Sequence, residues 1–165
     1  MRLLLRLLLI IAALSVLTGC SSKFKRYDGP EVTHVTVFKK ARRMYLLSGN
    51  RVLKSYHIGL GFAPTGDKKI EGDGRTPEGR YTIDRRNPDS EFHLSIGIDY
   101  PNERDIAEAK ALGKEPGGDI FIHGRGNPTQ FLLSDWTWGC IAVTNNEIEE
   151  IYAMVRDGTP ITIHR

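Results

Sequence analysis

The sequence contains little cysteine: Cys20 and Cys140 are the two cysteines among 165 residues. The disulfide frameworks that stabilise small secreted domains need several cysteine pairs, so this chain does not belong to that class. There is no C-x-x-C pair, and one or two thiols are too few for a usual structural zinc site, so no metal is predicted. Each cysteine therefore needs its own explanation.

Long hydrophobic runs are also scarce, apart from one at the N-terminus. The stretch from Leu7 to Leu14 is unbroken apolar sequence, and Arg2 and Arg6 are the only charges before Cys20. A basic start, a short apolar middle and small residues before a cleavage point are typical of a secretory signal peptide. A membrane-spanning helix needs roughly 20 apolar residues, so an N-terminal anchor helix is the less favoured alternative.

The end of this leader is more specific. Leu17-Thr18-Gly19-Cys20 resembles the lipobox of bacterial lipoproteins. The resemblance implies that residues 1–19 are a signal peptide, and that Cys20 carries acyl chains that bind a lipid bilayer. Residues 20–31 would then be a lipidated tether. Ser21 stands where many lipoproteins of the inner membrane have Asp, which favours the periplasmic face of the outer membrane in a Gram-negative organism.

A strong excess of one charge is absent once the leader is removed. Without Arg2 and Arg6, 21 basic residues face 20 acidic ones among 146. This balance argues against a nucleic-acid partner. The length indicates one domain, residues 32–165. With Cys20 committed to lipid, Cys140 has no partner in its own chain, which indicates a reactive thiol or an intermolecular bridge.

Short β-branched and aromatic stretches between turn residues predict a mainly β fold, a mixed sheet or β-sandwich with two short helices. Asn102 is expected to cap a helix that stops at Gly113. Thr144 and Glu147 form a capping box for a second helix. Strands are expected at 33–38, 43–47 and 51–59, which suggest a meander, and then at 80–83, 93–99, 119–124 and 161–165.

One His and one Cys are spaced so that they could act together. His123 lies near the end of the apolar stretch 119–124, and Cys140 follows 17 positions later. A thiol attacks as the thiolate, and a His supplies both a base and a charge partner. On composition alone, however, a small buried apolar Cys140 and an ordinary strand-end His123 are the favoured interpretation.

The surroundings of Cys140 suit a nucleophile. Gly139 would let backbone N–H groups approach a reacting carbonyl oxygen closely. The helix start at Thr144 is expected to help lower the pKa of the thiol, an effect limited to about one helical turn.

The pattern as a whole resembles the YkuD-type L,D-transpeptidase family. The resemblance is carried by His-Gly at a strand end, by the T-x-G-C-I motif at 137–141, and by GDGRTPEGRYTI at 72–83. It covers residues 32–165. It implies a periplasmic or surface enzyme that acts on peptidoglycan stem peptides, with Cys140 as nucleophile, His123 as base, and no cofactor.

Two positions depart from the family pattern. Trp138 stands where His is usual, and Ala142 stands where many members carry Arg or Asn. These departures concern the acyl acceptor more than the nucleophile. The expected activity is transpeptidation through a thioacyl-enzyme. Two alternatives stay open: a hydrolase that cuts stem peptides or releases a wall-linked protein, and an inactive lipoprotein that binds peptidoglycan.

Further residues are candidates for contact with the substrate. Arginine side chains could bind stem-peptide carboxylates through their planar guanidinium groups. A histidine on the 93–99 strand is expected to line the donor groove, and a tryptophan beside the nucleophile could form an apolar wall. Ordinary surface or core roles are the alternatives for each. The predicted substrate-binding residues are Thr137, Trp138, Gly139, His93, Arg75 and Arg125.

Overall fold

The computed structural model describes residues 22–126 and 134–165, so the leader and Cys20 lie outside the described residues. The described residues form eight strands and two helices. The helices are α1 (Glu103–Ala111) and α2 (Asn145–Met154). The strands are β1 (His34–Phe38), β2 (Arg43–Ser48), β3 (Arg51–His57), β4 (Gly79–Asn87), β5 (Ser95–Ile98), β6 (Phe121–His123), β7 (Ile141–Ala142) and β8 (Pro160–His164).

The strands form one mixed sheet in the order β3-β2-β1-β8-β4-β5-β6-β7. Strands β1 to β3 are the predicted antiparallel meander. Strand β8 inserts between β1 and β4, parallel to the first and antiparallel to the second. Strands β6 and β7 form the other parallel pair. The mainly β fold with a mixed sheet and two short helices is thereby confirmed.

The sheet curls so that its two edges meet. Beyond β3, Gly59 exchanges two backbone hydrogen bonds with Ala142 of β7, at 2.8 and 2.9 Å. A Cβ atom on Gly59 would lie 2.2 Å from the carbonyl oxygen of Ser134, so only glycine permits this approach. Strand β7, which directly follows Cys140, is consequently paired on both sides.

Alternating apolar residues of the strands fill the interior. Val35 of β1, Ile96 of β5 and Ile122 of β6 are fully buried, and β-branched side chains of this kind pack well on a pleated surface. Helix α2 covers β5 and β6 and buries Ile148 and Ile151 at helical spacing. The strand of the sheet that carries His123 is therefore covered by a helix.

Both helices form with their predicted caps. The Asn102 side chain accepts hydrogen bonds from backbone N–H groups in the first turn of α1, and Gly113 follows the helix with a left-handed φ of 66°. Thr144 and Glu147 make the reciprocal capping box of α2. Each cap satisfies backbone donors that have no partner within the helix.

Some strands differ in length from the prediction. Strand β4 continues to Asn87, past a bulge after Ile83 that interrupts the alternation visible in the sequence. Strand β5 begins at Ser95 rather than at residue 93, because His93 has a φ of 78°, outside the β region. Strand β6 begins at Phe121 for the same reason, since Asp119 has a φ of 55°.

Candidate active site

The parallel pairing of β6 and β7 brings His123 and Cys140 into one cavity. Side chains alternate along a strand, so Phe121 and His123 lie on the same face of β6. Ile122 is paired with Ile141, which places Cys140, one residue earlier, beside Phe121 on that face. His123 and Cys140 both line a cavity of about 340 Å³, called the cleft below.

The remaining walls of the cleft come from the end of β4, the loop that follows it, and the strands next to His123. No residue of this set was singled out from the sequence. Ser95 of β5 is paired with His123 of β6. The other lining residues are Asn87, Ser90, Glu91, Phe92, Ser95, Asp119 and Phe121.

A backbone carbonyl orients the imidazole of His123. The side chain is 2 % exposed, and its Nδ1 donates a hydrogen bond to the carbonyl oxygen of Gly124 at 2.5 Å. A carbonyl oxygen only accepts, so the proton of the neutral ring resides on Nδ1. Nε2 is then the basic nitrogen, which is the arrangement a general base requires.

Two aromatic rings enclose this imidazole. The ring centroid of Phe92 lies 4.5 Å from that of His123, and the centroid of Trp136 lies at 5.6 Å. Burial, helped by the positive charge of Arg125, lowers the pKa of His123 to about 4, although the hydrogen bond to Gly124 opposes the shift. The imidazole is therefore neutral at neutral pH.

The thiol of Cys140 lies between two backbone groups. It donates to the carbonyl oxygen of Asp119 and accepts from the N–H of Phe121, both at 3.4 Å. Burial raises the pKa of the thiol and outweighs the lowering by the Phe121 N–H group. The net shift is upward because desolvation is the dominant effect, and the expected lowering by the helix start at Thr144 stays a prediction.

Cys140 and His123 therefore form a neutral pair in the free protein rather than a thiolate and an imidazolium. Two separated charges in a desolvated site carry a large solvation penalty, which the neutral forms avoid. The thiol has to lose its proton as it attacks, and a neutral imidazole lining the same cleft is competent to take it.

Hydrogen bonds between the Thr137 side chain and the backbone of residues 139 and 140 hold the segment 137–140, called the nucleophile turn below, in place. The hydroxyl of Thr137 donates to the carbonyl oxygen of Cys140 at 2.7 Å and accepts from the N–H of Gly139 at 3.2 Å. Thr137 is 4 % exposed. The structure thus places Thr137 inside the turn instead of in the cleft, and the Gly139 N–H is used by the turn itself.

Glycines allow three backbone segments to meet behind Cys140. Gly139 has a φ of 130°, and a Cβ atom there would lie 2.6 Å from the carbonyl oxygen of Arg75. A Cβ atom on Gly61 would lie 2.0 Å from the carbonyl oxygen of Gly74 and 3.1 Å from the Cα of Gly139. Side chains cannot be accommodated at such distances, so these positions require glycine.

The T-P-E-G turn at 76–79 supports this arrangement from outside the cleft. The Thr76 hydroxyl accepts a hydrogen bond from the N–H of Gly61 at 3.3 Å. The buried ammonium of Lys39 donates to the carbonyl oxygens of Gly66 and Thr76, at 2.5 and 2.7 Å, and to the carboxylate of Glu78 at 3.0 Å. Lys39 stands in the polar stretch Lys39-Lys40-Ala41-Arg42 between β1 and β2, and nothing in that sequence indicates its burial.

Asp135 fixes the other end of the nucleophile turn. Its carboxylate pairs with the guanidinium of Arg42 at 2.7 Å and accepts from the N–H of Leu60 at 2.9 Å. The residues just before Thr137 are thereby attached to the edge of the meander.

None of the six predicted substrate-binding residues is among the described lining residues of the cleft. The guanidinium of Arg75 contacts the carbonyl oxygen of Asp67 at 3.5 Å. The imidazole of His93 pairs with Glu149 of α2 at 2.8 Å, because the left-handed backbone at His93 takes it off the strand. Arg125 follows β6, and its backbone N–H donates to the side chain of Asn145 at 2.8 Å.

Trp138 lies two positions before Cys140 and is exposed. Its side chain is 70 % exposed and packs edge-on against Phe62, with 5.0 Å between the ring centroids. Ala142, by contrast, is fully buried. Of the two departures from the family pattern, only Trp138 therefore presents a side chain to an incoming molecule.

Within residues 22–126 and 134–165, no three His, Cys, Asp or Glu side chains converge in a way that could hold a metal ion. The chemistry available at the cleft, as described, is that of a thiol and an imidazole.

A family model for the L,D-transpeptidase catalytic domain matches residues 32–163 of the chain. The chain belongs to this family. The resemblance drawn from the His-Gly, T-x-G-C-I and GDGRTPEGRYTI motifs is confirmed, and the match includes both His123 and Cys140.

Similar proteins include members of this family from several bacteria. The Escherichia coli K12 protein named "Putative L,D-transpeptidase YafK" is 30% identical over 152 residues, which cover 88% of this chain and 56% of that protein. "Putative L,D-transpeptidase YkuD" of Bacillus subtilis is 31% identical over 134 residues, or 80% of this chain and 66% of its own length. The chain thus spans about half to two thirds of the curated relatives it matches.

Among solved structures, the helical cell shape determining protein Pgp2 of Campylobacter jejuni has the same fold. It superposes with a TM-score of 0.61 at 31% identity, over 88% of this chain and 51% of Pgp2. An L,D-transpeptidase of Mycobacterium smegmatis superposes with a TM-score of 0.56 at 15% identity, a likeness of fold alone.

We expect Gly139→Ala to destabilise the chain and slow the reaction of Cys140. The φ of 130° is strained for alanine, at a cost of about 1–3 kcal/mol, and the added methyl group collides with the Arg75 carbonyl. Gly49→Ala is the matched control, since Gly49 also has a positive φ but open space around it. Urea unfolding and alkylation of Cys140 measure both effects. Equal losses in the two variants would contradict the packing argument.

We also expect His123 to titrate far below the ordinary value of 6.5, because its pKa is lowered to about 4. The imidazole then stays neutral at a pH where an ordinary His is protonated. NMR titration of the full-length chain with labelled histidine measures this pKa, and the His123→Asn variant assigns the signal. A midpoint at or above 6.5 would refute the burial of the neutral ring.

Proposed function

We propose that this chain is a cysteine L,D-transpeptidase that acts on peptidoglycan stem peptides through a thioacyl-enzyme. The observation that carries the proposal is the neutral imidazole of His123, fixed by the Gly124 carbonyl, in the same cleft as the thiol of Cys140. The family to which the chain belongs acts on such stem peptides.

The first half of the proposed reaction acylates the enzyme. Nε2 of His123 takes the thiol proton as Sγ of Cys140 attacks the carbonyl carbon between the diamino acid and the terminal D-residue. The tetrahedral intermediate collapses, the C–N bond breaks, and the imidazolium returns the proton to the leaving amine. A thioester to Cys140 and a free D-amino acid result.

The second half transfers the acyl group. An acceptor amine loses a proton to His123 as it attacks the thioester, the C–S bond breaks, and the sulfur takes the proton back. The carboxylates of Glu91 and Asp119 line the cleft, and Asp119 is also paired with Arg85 at 3.4 Å. The negative charge of Glu91 attracts the ammonium form of an amine acceptor, which supports transfer over hydrolysis.

The place of action is also a proposal. Leu17–Cys20 supports acylation of Cys20 and attachment to the periplasmic face of a membrane, the outer membrane in a Gram-negative organism. Among the described residues, no helix combines the length and the hydropathy needed to cross a bilayer.

The reaction is tested by incubating the full-length chain in detergent with a tetrapeptide muropeptide and excess D-amino acid. We expect exchange of the terminal residue, lost on the order of 10³-fold or more in Cys140→Ala, since an enzyme without its nucleophile retains little activity. Cys20→Ser is the matched control, because it removes the other thiol and leaves the cleft intact. Tripeptide product alone would indicate a hydrolase, and no product from wild type an inactive domain.

We expect Cys20→Ser to abolish acylation in cells and to leave an uncut precursor, because the lipobox cysteine is the acceptor of the lipid. Metabolic labelling with palmitate measures the acylation, with Cys140→Ala as the control that keeps Cys20. Equal labelling of wild type and Cys20→Ser would exclude this anchor.

A further inference from the structure

The tether is not a free linker over residues 22–26; it lies along α2. Lys25 donates to the carbonyl oxygen of Asn146 at 3.1 Å and pairs with Glu149 at 3.3 Å. The ring of Phe24 contacts Tyr152, with 6.2 Å between the centroids. This part of the chain therefore has a defined place against the catalytic domain.

Lys23 connects the tether to the loop at residues 88–93, called the cleft loop below. Its ammonium donates to the carbonyl oxygen of Pro88 at 2.6 Å and to that of His93 at 3.3 Å. One side chain thus binds the first and the last residue of the loop. Hydrogen bonds from a charged donor are stronger than neutral ones.

Besides Lys23, an ion pair between His93 and Glu149 of α2 at 2.8 Å attaches the end of the cleft loop to the domain. The internal hydrogen bonds of the loop include those from the N–H of His93 to the Ser90 carbonyl at 3.0 Å and from the N–H of Leu94 to the Phe92 carbonyl at 3.1 Å. The φ of 78° at His93 costs about 1–2 kcal/mol for a residue with a Cβ atom. Such a conformation persists only where surrounding contacts hold it.

The same loop forms one wall of the cleft. Ser90, Glu91 and Phe92 line it, and the ring of Phe92 lies 4.5 Å from the imidazole of His123. The backbone of the loop also packs on the residues after β6, since a Cβ atom on Gly124 would lie 2.7 Å from the Phe92 carbonyl oxygen. A shift of the loop would therefore directly change the packing around the His123 imidazole.

We propose that Lys23 of the tether is a positioning residue for the active site: it clamps the two ends of the cleft loop and thereby holds Phe92 against His123. The role as a positioning residue rests on the proposed function; the clamp itself does not. Lys23 touches neither the thiol nor the imidazole and acts through the loop. Without it, water gains access to His123, and the aromatic cover of the ring loosens.

The pKa of His123 depends on the charged and titratable groups around it and on its burial. Cys140, just before β7, and the carboxylates of Glu91 and Asp119 line the cleft with it, and Arg125 follows it in the chain. The largest influence on the pKa of His123 is burial, to which the covering ring of Phe92 contributes. Loosening the loop reduces this burial, so the pKa of His123 should rise toward 6.5.

The test compares Lys23→Met, Lys23→Arg and Lys54→Met in the full-length chain. Methionine keeps the apolar stem of Lys23 without its charge, whereas arginine retains donors for both carbonyl oxygens. Lys54→Met is the matched control, because Lys54 also pairs with a glutamate of α2, Glu150 at 2.9 Å, but touches no residue of the cleft loop. NMR titration of labelled histidine gives the pKa of His123, and muropeptide exchange gives kcat/KM.

In Lys23→Met we expect a raised pKa of His123 and a fall in kcat/KM on the order of 10-fold, since small misplacements of reacting groups are costly. Lys23→Arg should restore both, and Lys54→Met should change neither. An unchanged pKa in Lys23→Met overturns the proposal, whatever happens to kcat/KM. So does an equal shift in Lys54→Met. The titration needs no substrate, so failure of the wild type to turn over muropeptides would count against the proposed function alone.

Discussion

Behind Cys140, three stretches of backbone approach so closely that no side chain fits between them. The nucleophile turn contributes Gly139, the segment beyond β3 contributes Gly61, and the T-P-E-G region contributes the carbonyl oxygens of Gly74 and Arg75. The position of the thiol is set by this contact. The buried ammonium of Lys39 holds the T-P-E-G turn in its place, so the geometry of the cleft depends on packing outside it.

Burial has opposite effects on the two reacting groups. It raises the pKa of Cys140 and lowers that of His123, and both shifts favour the uncharged form. The resting thiol therefore keeps its proton more firmly than a solvated cysteine does. Thiolate character also governs oxidation by peroxides and disulfides, so the same burial protects an unpaired thiol from those reactions.

The sequence predicted the features that depend on neighbouring residues in the chain. Asn102 and Thr144 cap their helices as expected, and the three-strand meander follows from alternation and turns. The family motifs located His123 and Cys140. The first residues of β5 and β6 were predicted too early, because an apolar pattern does not reveal the positive φ angles at His93 and Asp119.

The walls of the cleft could not be predicted in the same way. Phe92 reaches His123 from a loop 31 positions earlier, and Lys23 reaches that loop from the tether, so both depend on how distant segments pack. Lys39 is a similar case, since a lysine in a polar turn is usually solvated. The burial of the Lys39 ammonium is explained only by the fold, which brings three acceptors to it: the carbonyl oxygens of Gly66 and Thr76 and the carboxylate of Glu78.

The glycine contacts also determine where this domain is free to evolve. Replacing Gly61 or Gly139 with any other residue would force backbone segments apart, so substitutions at these positions carry a structural cost. Phe62 and Trp138, which are the chain neighbours of these two glycines, are exposed. Since substitutions at exposed positions usually cost little stability, sequence change is accommodated more easily at these two residues than at the glycines that hold the thiol.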